Sequence, residues 1–178
     1  MNNSYKSKSV LRGKYLIFLK DIKERILDAQ YKALRAVNKE LISLYWDIGE
    51  KIVERQKEEK WGKSIVERLA EDLQKEFPGI QGFSSANLWR IRNFYLSYKK
   101  NEKLAPLVRE ISWSKNIVIM EKCKETSQRE FYIKMTKKFG WTKNVLIHQI
   151  EGKSYHRFLL NQTNFDKTLD YVKYFPQN

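Results

Sequence analysis

The sequence predicts an all-α fold, and three observations carry that expectation. Only seven Gly and three Pro punctuate 178 residues, too few for the many turns of an all-β chain. Apolar residues recur at spacings of three and four in long stretches, the signature of amphipathic helices. No stretch reads convincingly as a strand; "NIVIM" at 116–120 is the segment most easily mistaken for one. A hydrophobic content of 42% with 13% aromatics is enough for a packed core. The expected organisation is a flexible basic tail at 1–11, a multi-helix domain over 12–170 and a C-terminal tail at 171–178. The domain has a long N-terminal helix and a helix-turn-helix-like centre, winged or simply loose.

The first helix runs from Tyr15 to about Glu59. Leu19, Ile22, Ile26, Ala33, Val37, Leu41, Leu44, Ile48 and Ile52 form one stripe along it; the run is either two helices, with Gly49 as the point of a break or kink, or one long helix with a coiled-coil-like seam. A second helix spans about Gly62 to Glu76, with Ile65, Leu69 and Leu73 as its stripe, and "FPG" at 77–79 stops it. A third runs from Ser84 to about Lys99, with Ser84 a good N-cap and Ser85 a near alternative. "NEKLAPLVREIS" is a connector in which Pro106 allows no long helix. Further helices are expected from Ser114 to about Lys124, from a capping box formed by Ser127 and Glu130 to Gly140, and from Thr142 to Glu151 before Gly152. "SYHRFLLNQ" adds one or two turns, and the last stretch has only weak periodicity.

Three helix starts share a pattern: "WGKSIVERL" at 61–69, "WSKNIVIME" at 113–121 and "WTKNVLIHQ" at 141–149. With Gly62, Ser114 and Thr142 as N-caps, each Trp would sit at N′ and pack on Val66, Val118 or Leu146 as a hydrophobic staple. The unequal spacing argues against a true repeat. Lys63, Lys115 and Lys143 then fall at N1, where a cation opposes the helix dipole. A Lys beside a helix N-terminus suits phosphate; a solvated lysine is the alternative, and Lys63 is the better phosphate candidate.

A net charge of +14, from 35 basic and 21 acidic residues, points to a polyanionic partner, nucleic acid ahead of an anionic membrane. A single cysteine, Cys123, excludes an intrachain disulfide and reads as a half-buried helical thiol. No apolar run reaches the length of a membrane span, and the polar, basic N-terminus lacks a signal-peptide core. A reducing, cytoplasmic location is expected.

The third helix carries the functional expectation. No acidic residue occurs from Ser84 to Lys100, whereas Arg90, Arg92, Lys99 and Lys100 do. Leu88, Ile91, Tyr95 and Tyr98 can face a core. Ala86, Arg90, Asn93 and Ser97 fall on another side, with the small and hydrogen-bonding side chains that a helix in the DNA major groove requires. Asn87 and Arg90 are best placed to reach base edges. Lys63, Arg92, Lys99 and Lys100 would hold the phosphate backbone. The turn "FPGIQGF" at 77–83 is longer than a strict helix-turn-helix allows. An ordinary amphipathic helix with a basic outer face fits the same residues. Phe94, Tyr95 and Tyr98 read as core in preference to base-stacking groups.

"GFSSANLWRIRNFYLSY", with "WGKSIVERLAEDLQKEFP" upstream, "REFY…GWTKNVLIHQIE" downstream and the earlier "LYWDIGEKI", resembles the N-terminal (DUF1016-type) domain of the YhcG-like family of PD-(D/E)xK nucleases. The resemblance covers about residues 15 to 170. It implies a helical, helix-turn-helix-type domain that binds DNA, normally followed by a nuclease domain. No counterpart of that nuclease domain is expected in this sequence, which fits a fragment, a truncated gene or a stand-alone binding domain: the one "ExK"-like spacing, Glu58–Lys60, lies in a charged helix end with no preceding strand. No catalytic residue is assigned, and an enzyme is not expected.

No cofactor or metal is expected either. His148 and His156 with one cysteine make no zinc spacing, and no phosphate loop or nucleophile motif occurs. The sequence thus predicts a nucleic-acid-binding domain, duplex DNA ahead of RNA. The alternative is an interaction module whose long N-terminal stripe makes a homodimer or docks a separate nuclease subunit.

Overall fold

The computed structural model describes residues 3–59 and 62–161, with side chains from Arg12 onward apart from that of Lys63. Trp61, the side chains of the expected 1–11 tail and everything from 162 onward lie outside the described residues. The chain is all helical among those described. In order come α1 (Asn3–Glu58), α2 (Lys63–Glu76), α3 (Ser85–Tyr98), the one-turn α4 (Leu104–Leu107) running into a 3-10 turn (Val108–Glu110), α5 (Trp113–Lys122), α6 (Thr126–Phe139) and α7 (Lys143–Glu151). Residues 154–161 form a further helical stretch. The chain divides into two units, Met1–Asn38 and Lys39–Asn178.

The described side chains of the first unit lie on α1. They are exposed at Tyr15, Leu16, Ile17, Phe18, Ile26, Leu27, Tyr31, Leu34 and Val37. Its charged groups pair along the helix at i,i+4: Lys20–Glu24, Arg25–Asp21 and Lys32–Asp28, at 3.7, 3.0 and 2.7 Å. Such pairs support an isolated helix.

In the second unit the core has two clusters, with α3 contributing to both. Leu88 and Ile91 join Tyr45, Ile52, Val66 and Ala70. Phe94 and Tyr98 join Ile42 of α1, Leu104, Val108 and Ile111 of the connector, and residues of α5, α6 and α7. The short connector is therefore a structural part of the core, which explains its apolar spacing around Pro106. Asn116, fully buried, holds it in place by donating to the carbonyls of Val108 and Ile111 at 2.8 and 3.2 Å.

Several local expectations change in three dimensions. Gly49 does not break α1, which continues to Glu58. A Cβ there would lie 2.7 Å from the Ile91 carbonyl oxygen and 2.8 Å from Tyr95 Cβ, so this glycine lets α1 and α3 approach closely. On α3 Phe94 is fully buried together with Leu88, Ile91 and Tyr98. Tyr95 is only partly buried, edge-on to Trp46 at 5.3 Å, with its hydroxyl donating to Glu50 at 2.7 Å. Helix α5 begins one residue earlier than the staple requires: Ser112 is the extended N-cap and Trp113 the first helical residue. Trp113 instead packs on Tyr45 and Phe94, with ring centroids 4.7 and 5.2 Å away. The staple geometry fits α7, where Thr142 caps Val145 N–H at 3.3 Å and Trp141 packs against the cluster containing Leu146. No capping box forms at α6. Its N-cap is Glu125 and Ser127 is already helical, while Glu130 pairs with Lys134. Arg129 sets this entry by donating to the Cys123 and Met120 carbonyls at 2.8 and 3.3 Å. Cys123 is buried at the end of α5, and burial pushes its thiol up to about 11. Gly140 ends α6 in the left-handed conformation, as expected.

Candidate nucleic-acid interface

The segment from α2 through the 77–84 turn to α3 is built around Asn87. The turn contains two positive-φ glycines, Gly79 at 91° and Gly82 at 109°, and no strand, so it carries no wing. A Cβ on Gly82 would overlap the Tyr45 hydroxyl. Gln74 Nε2 donates to the Phe83 carbonyl at 3.0 Å, bracing the turn from α2. Ser84 caps α3 by accepting from Asn87 N–H at 3.3 Å. The Asn87 side chain donates through Nδ2 to the Gly82 carbonyl at 2.6 Å and accepts from Trp113 Nε1 at 2.9 Å. It also hydrogen-bonds the Tyr45 hydroxyl, whose acidity is lowered overall because burial outweighs that bond. The amide sequence reasoning aimed at base edges is thus engaged at both ends, joining the turn, α1 and α5.

The buried face of α3 leaves a strip exposed. Ala86, Arg90, Asn93 and Ser97 are all exposed, and Lys100 continues the strip just beyond the helix. The grouping follows from helical spacing once Leu88, Ile91, Phe94 and Tyr98 face the core. Arg92 lies toward α1: its Nε donates to Gln56 Oε1 at 2.5 Å, and its guanidinium lies 5.5 Å from the Trp89 ring centroid. It also reaches Asn93 Oδ1 at 3.3 Å. Lys99 lies over the Tyr95 ring at 5.3 Å. Of the eight residues singled out by sequence, Arg90, Asn93, Ser97 and Lys100 share one exposed surface. Asn87, Arg92 and Lys99 are held against neighbouring groups. Lys63 opens α2, but its side chain lies outside the described residues.

Beside the strip, α3 and α5 border a cleft of mixed polar and apolar lining, of about 320 Å³. Arg90 lines it, 3.6 Å from Glu121 of α5, with both side chains about half exposed. Ser114 and the exposed Lys143 line it too, over Trp113 and Val118. An exposed pair of this kind is weak, about 0–1 kcal/mol, so an anion can compete for Arg90. Lys115 is less available: burial disfavours its charged form. The Trp-x-Lys pattern drew attention to Lys143, whereas nothing in the sequence signalled that Glu121 would face Arg90.

No group of three or more His, Cys, Asp or Glu among the described residues could hold a metal ion. His148 is exposed on α7, and Glu71–Asp72 lie on the exposed surface of α2. No described helix is long and apolar enough to cross a membrane.

The chain is 27% identical over 165 positions to the Escherichia coli (strain K12) protein named "Putative nuclease YhcG", an alignment covering 75% of this chain and 44% of that protein. The chain therefore spans less than half the length of this relative. No solved structure matches the chain. Residues 21–157 match the DUF1016 N-terminal domain; the match takes in most of α1, all of α2 to α7 and the start of the 154–161 stretch, and the chain belongs to the DUF1016 N-terminal domain family.

Proposed function

We propose that this nuclease-family domain binds nucleic acid, duplex DNA first, through the exposed strip of α3. The observation that carries the reading is the division of α3 into a fully buried apolar face and an exposed acid-free strip of Arg90, Asn93, Ser97 and Lys100. A recognition helix needs such a division: one face fixed to the protein, the other supplied with donors and acceptors for a groove. The +14 charge supplies the long-range attraction.

In this reading α2, the 77–84 turn and α3 act as a loose helix-turn-helix. Arg90 exchanges Glu121 for phosphate, and Lys100 and Lys143 neutralise further phosphates. Asn93 and Ser97 supply base-edge hydrogen bonds, while Ala86 lets the helix approach closely. Asn87 fixes the turn and α5 relative to α3, and Arg92 and Lys99 brace its flank. They act on affinity by positioning. If the longer relative's name describes its chemistry, this domain's task is to hold the duplex for a catalytic region.

The test is fluorescence anisotropy with labelled random duplex DNA across a salt series, for the natural chain and for Arg90→Ala/Lys100→Ala. Both side chains are exposed, so folding is retained. The expected result is tight, salt-dependent binding. In the variant it weakens, and the slope of log affinity against log salt falls by about 1.8. Identical binding by the two proteins would remove α3 from the interface. Stronger binding of duplex RNA or single strands would move the substrate class.

A further inference from the structure

We infer that residues 15–36 of α1 form an antiparallel helix pair with the same segment of a second copy of the chain. The seam is Tyr15, Leu19, Ile22, Ile26, Ala29, Ala33 and Ala36. These residues are spaced by four and three in strict alternation, the repeat that keeps one helical stripe against a partner helix. Tyr15 and Ile26 are 60% and 52% exposed, Leu19 and Ile22 are partly exposed, and the three alanines are exposed. Charged groups lie off the seam and pair along the helix, as in Lys20–Glu24, Arg25–Asp21 and Lys32–Asp28.

The choice of a second copy rests on self-complementarity. The seam is bulky in its first half and small in its second. An antiparallel register with positions summing to 48 places Tyr15 against Ala33, Leu19 against Ala29 and Ile22 against Ile26. Each bulky residue then meets a small one, and the central isoleucines meet each other. A two-fold interface demands this reciprocity, since residue i meets j while j meets i. A parallel pair would stack Tyr15 on Tyr15 and leave a gap at Ala29 and Ala33. The area is sufficient as well. With the flanking Leu16 and Phe18, six large side chains per copy at roughly 60–120 Å² each give about 700–1,400 Å² in total, which spans the roughly 1,000 Å² that a specific interface needs.

The experiment uses the full chain. Sedimentation equilibrium should give the mass of two copies, and Ile22→Asp/Ile26→Asp should return it to one. Orientation is read by cross-linking. The double variant Tyr15→Cys/Ala33→Cys should form a disulfide-linked dimer on mild oxidation, whereas either single variant should not. Positions 15 and 33 lie about 27 Å apart along one helix, so they cannot bridge within a chain. Cys123 is buried and takes no part. A single-copy mass at concentrations on the order of 100 µM would overturn the inference and hand this face to a different protein. A dimer unmoved by the Asp pair would place the interface elsewhere. Single variants that cross-link as readily as the double would overturn the antiparallel register.

Discussion

Helix α1 presents the same kind of apolar stripe in its two halves, yet only one half is covered by the protein. In residues 39–58, Ile42, Tyr45, Ile52 and Val53 are buried among α2, α3 and later elements. In residues 12–38, Ile26, Leu34 and Val37 have equivalent chemistry and are 52–71% exposed. The expected stripe is itself displaced there: Leu41 and Leu44 stay 38% and 46% exposed while Ile42 and Tyr45, one residue on, are buried, so periodicity reports an amphipathic helix without fixing which residues are covered or by what. The intramolecular half adds what a generic stripe lacks: Gly49 for close approach to α3, Glu50 to accept from the Tyr95 hydroxyl, and Tyr45 to pack on Trp113.

The largest expected effect breaks that symmetry directly. Ile42→Ala should cost about 2–5 kcal/mol in urea unfolding, since its side chain is fully buried. Ile26→Ala, measured below the dimer concentration, should stay within about 0.5 kcal/mol. Next is Gly49→Ala. Alanine would normally favour a helix interior by about 1 kcal/mol, but here the added Cβ meets the Ile91 carbonyl and Tyr95. A net loss of about 1–3 kcal/mol is expected, reported by a lower urea midpoint. Gly13, with open space around it, should gain from the same substitution.

Smaller still is Trp113→Phe, which retains an aromatic ring against Tyr45 and Phe94 but deletes the donor to Asn87. Stability should fall by about 0.5–1.5 kcal/mol, and DNA affinity should fall with it if Asn87 positions α3. The smallest effect appears only in alkali. The Tyr95 hydroxyl, held chiefly by its hydrogen bond to Glu50, is pushed up to about 12 from the ordinary 10. The folded state thus retains a proton that the unfolded chain releases. Its stabilisation is complete below pH 10 and is lost as pH rises through about 12. Tyr95→Phe should flatten that part of the unfolding profile.

Much of the exposed α3 strip is legible in the sequence. Ala86, Arg90, Asn93 and Ser97 share a face because an α-helix has 3.6 residues per turn, and Ser84 announced where it begins. The engagement of Asn87 was not legible. Its partners are Gly82, Trp113 and Tyr45, of which the last two are 26 and 42 positions away, and no local pattern encodes that meeting. The same limit applied to Trp113. Its resemblance to Trp141 suggested one role, and packing between Tyr45 and Phe94 gave it another.

By itself the sequence determined the helical class, the number and order of the long helices, their stops at "FPG", Gly140 and Gly152, and the acid-free face of α3. These depend on backbone propensity, capping and periodicity, which act over a few residues. Only the tertiary structure decided that Gly49 is a contact and not a hinge, that Phe94 outranks Tyr95 in the core, that Asn87 and Arg92 are braces, and that Arg90 faces Glu121. Each of those depends on which distant helix arrives at a given face, and that is settled by the packing of the whole unit.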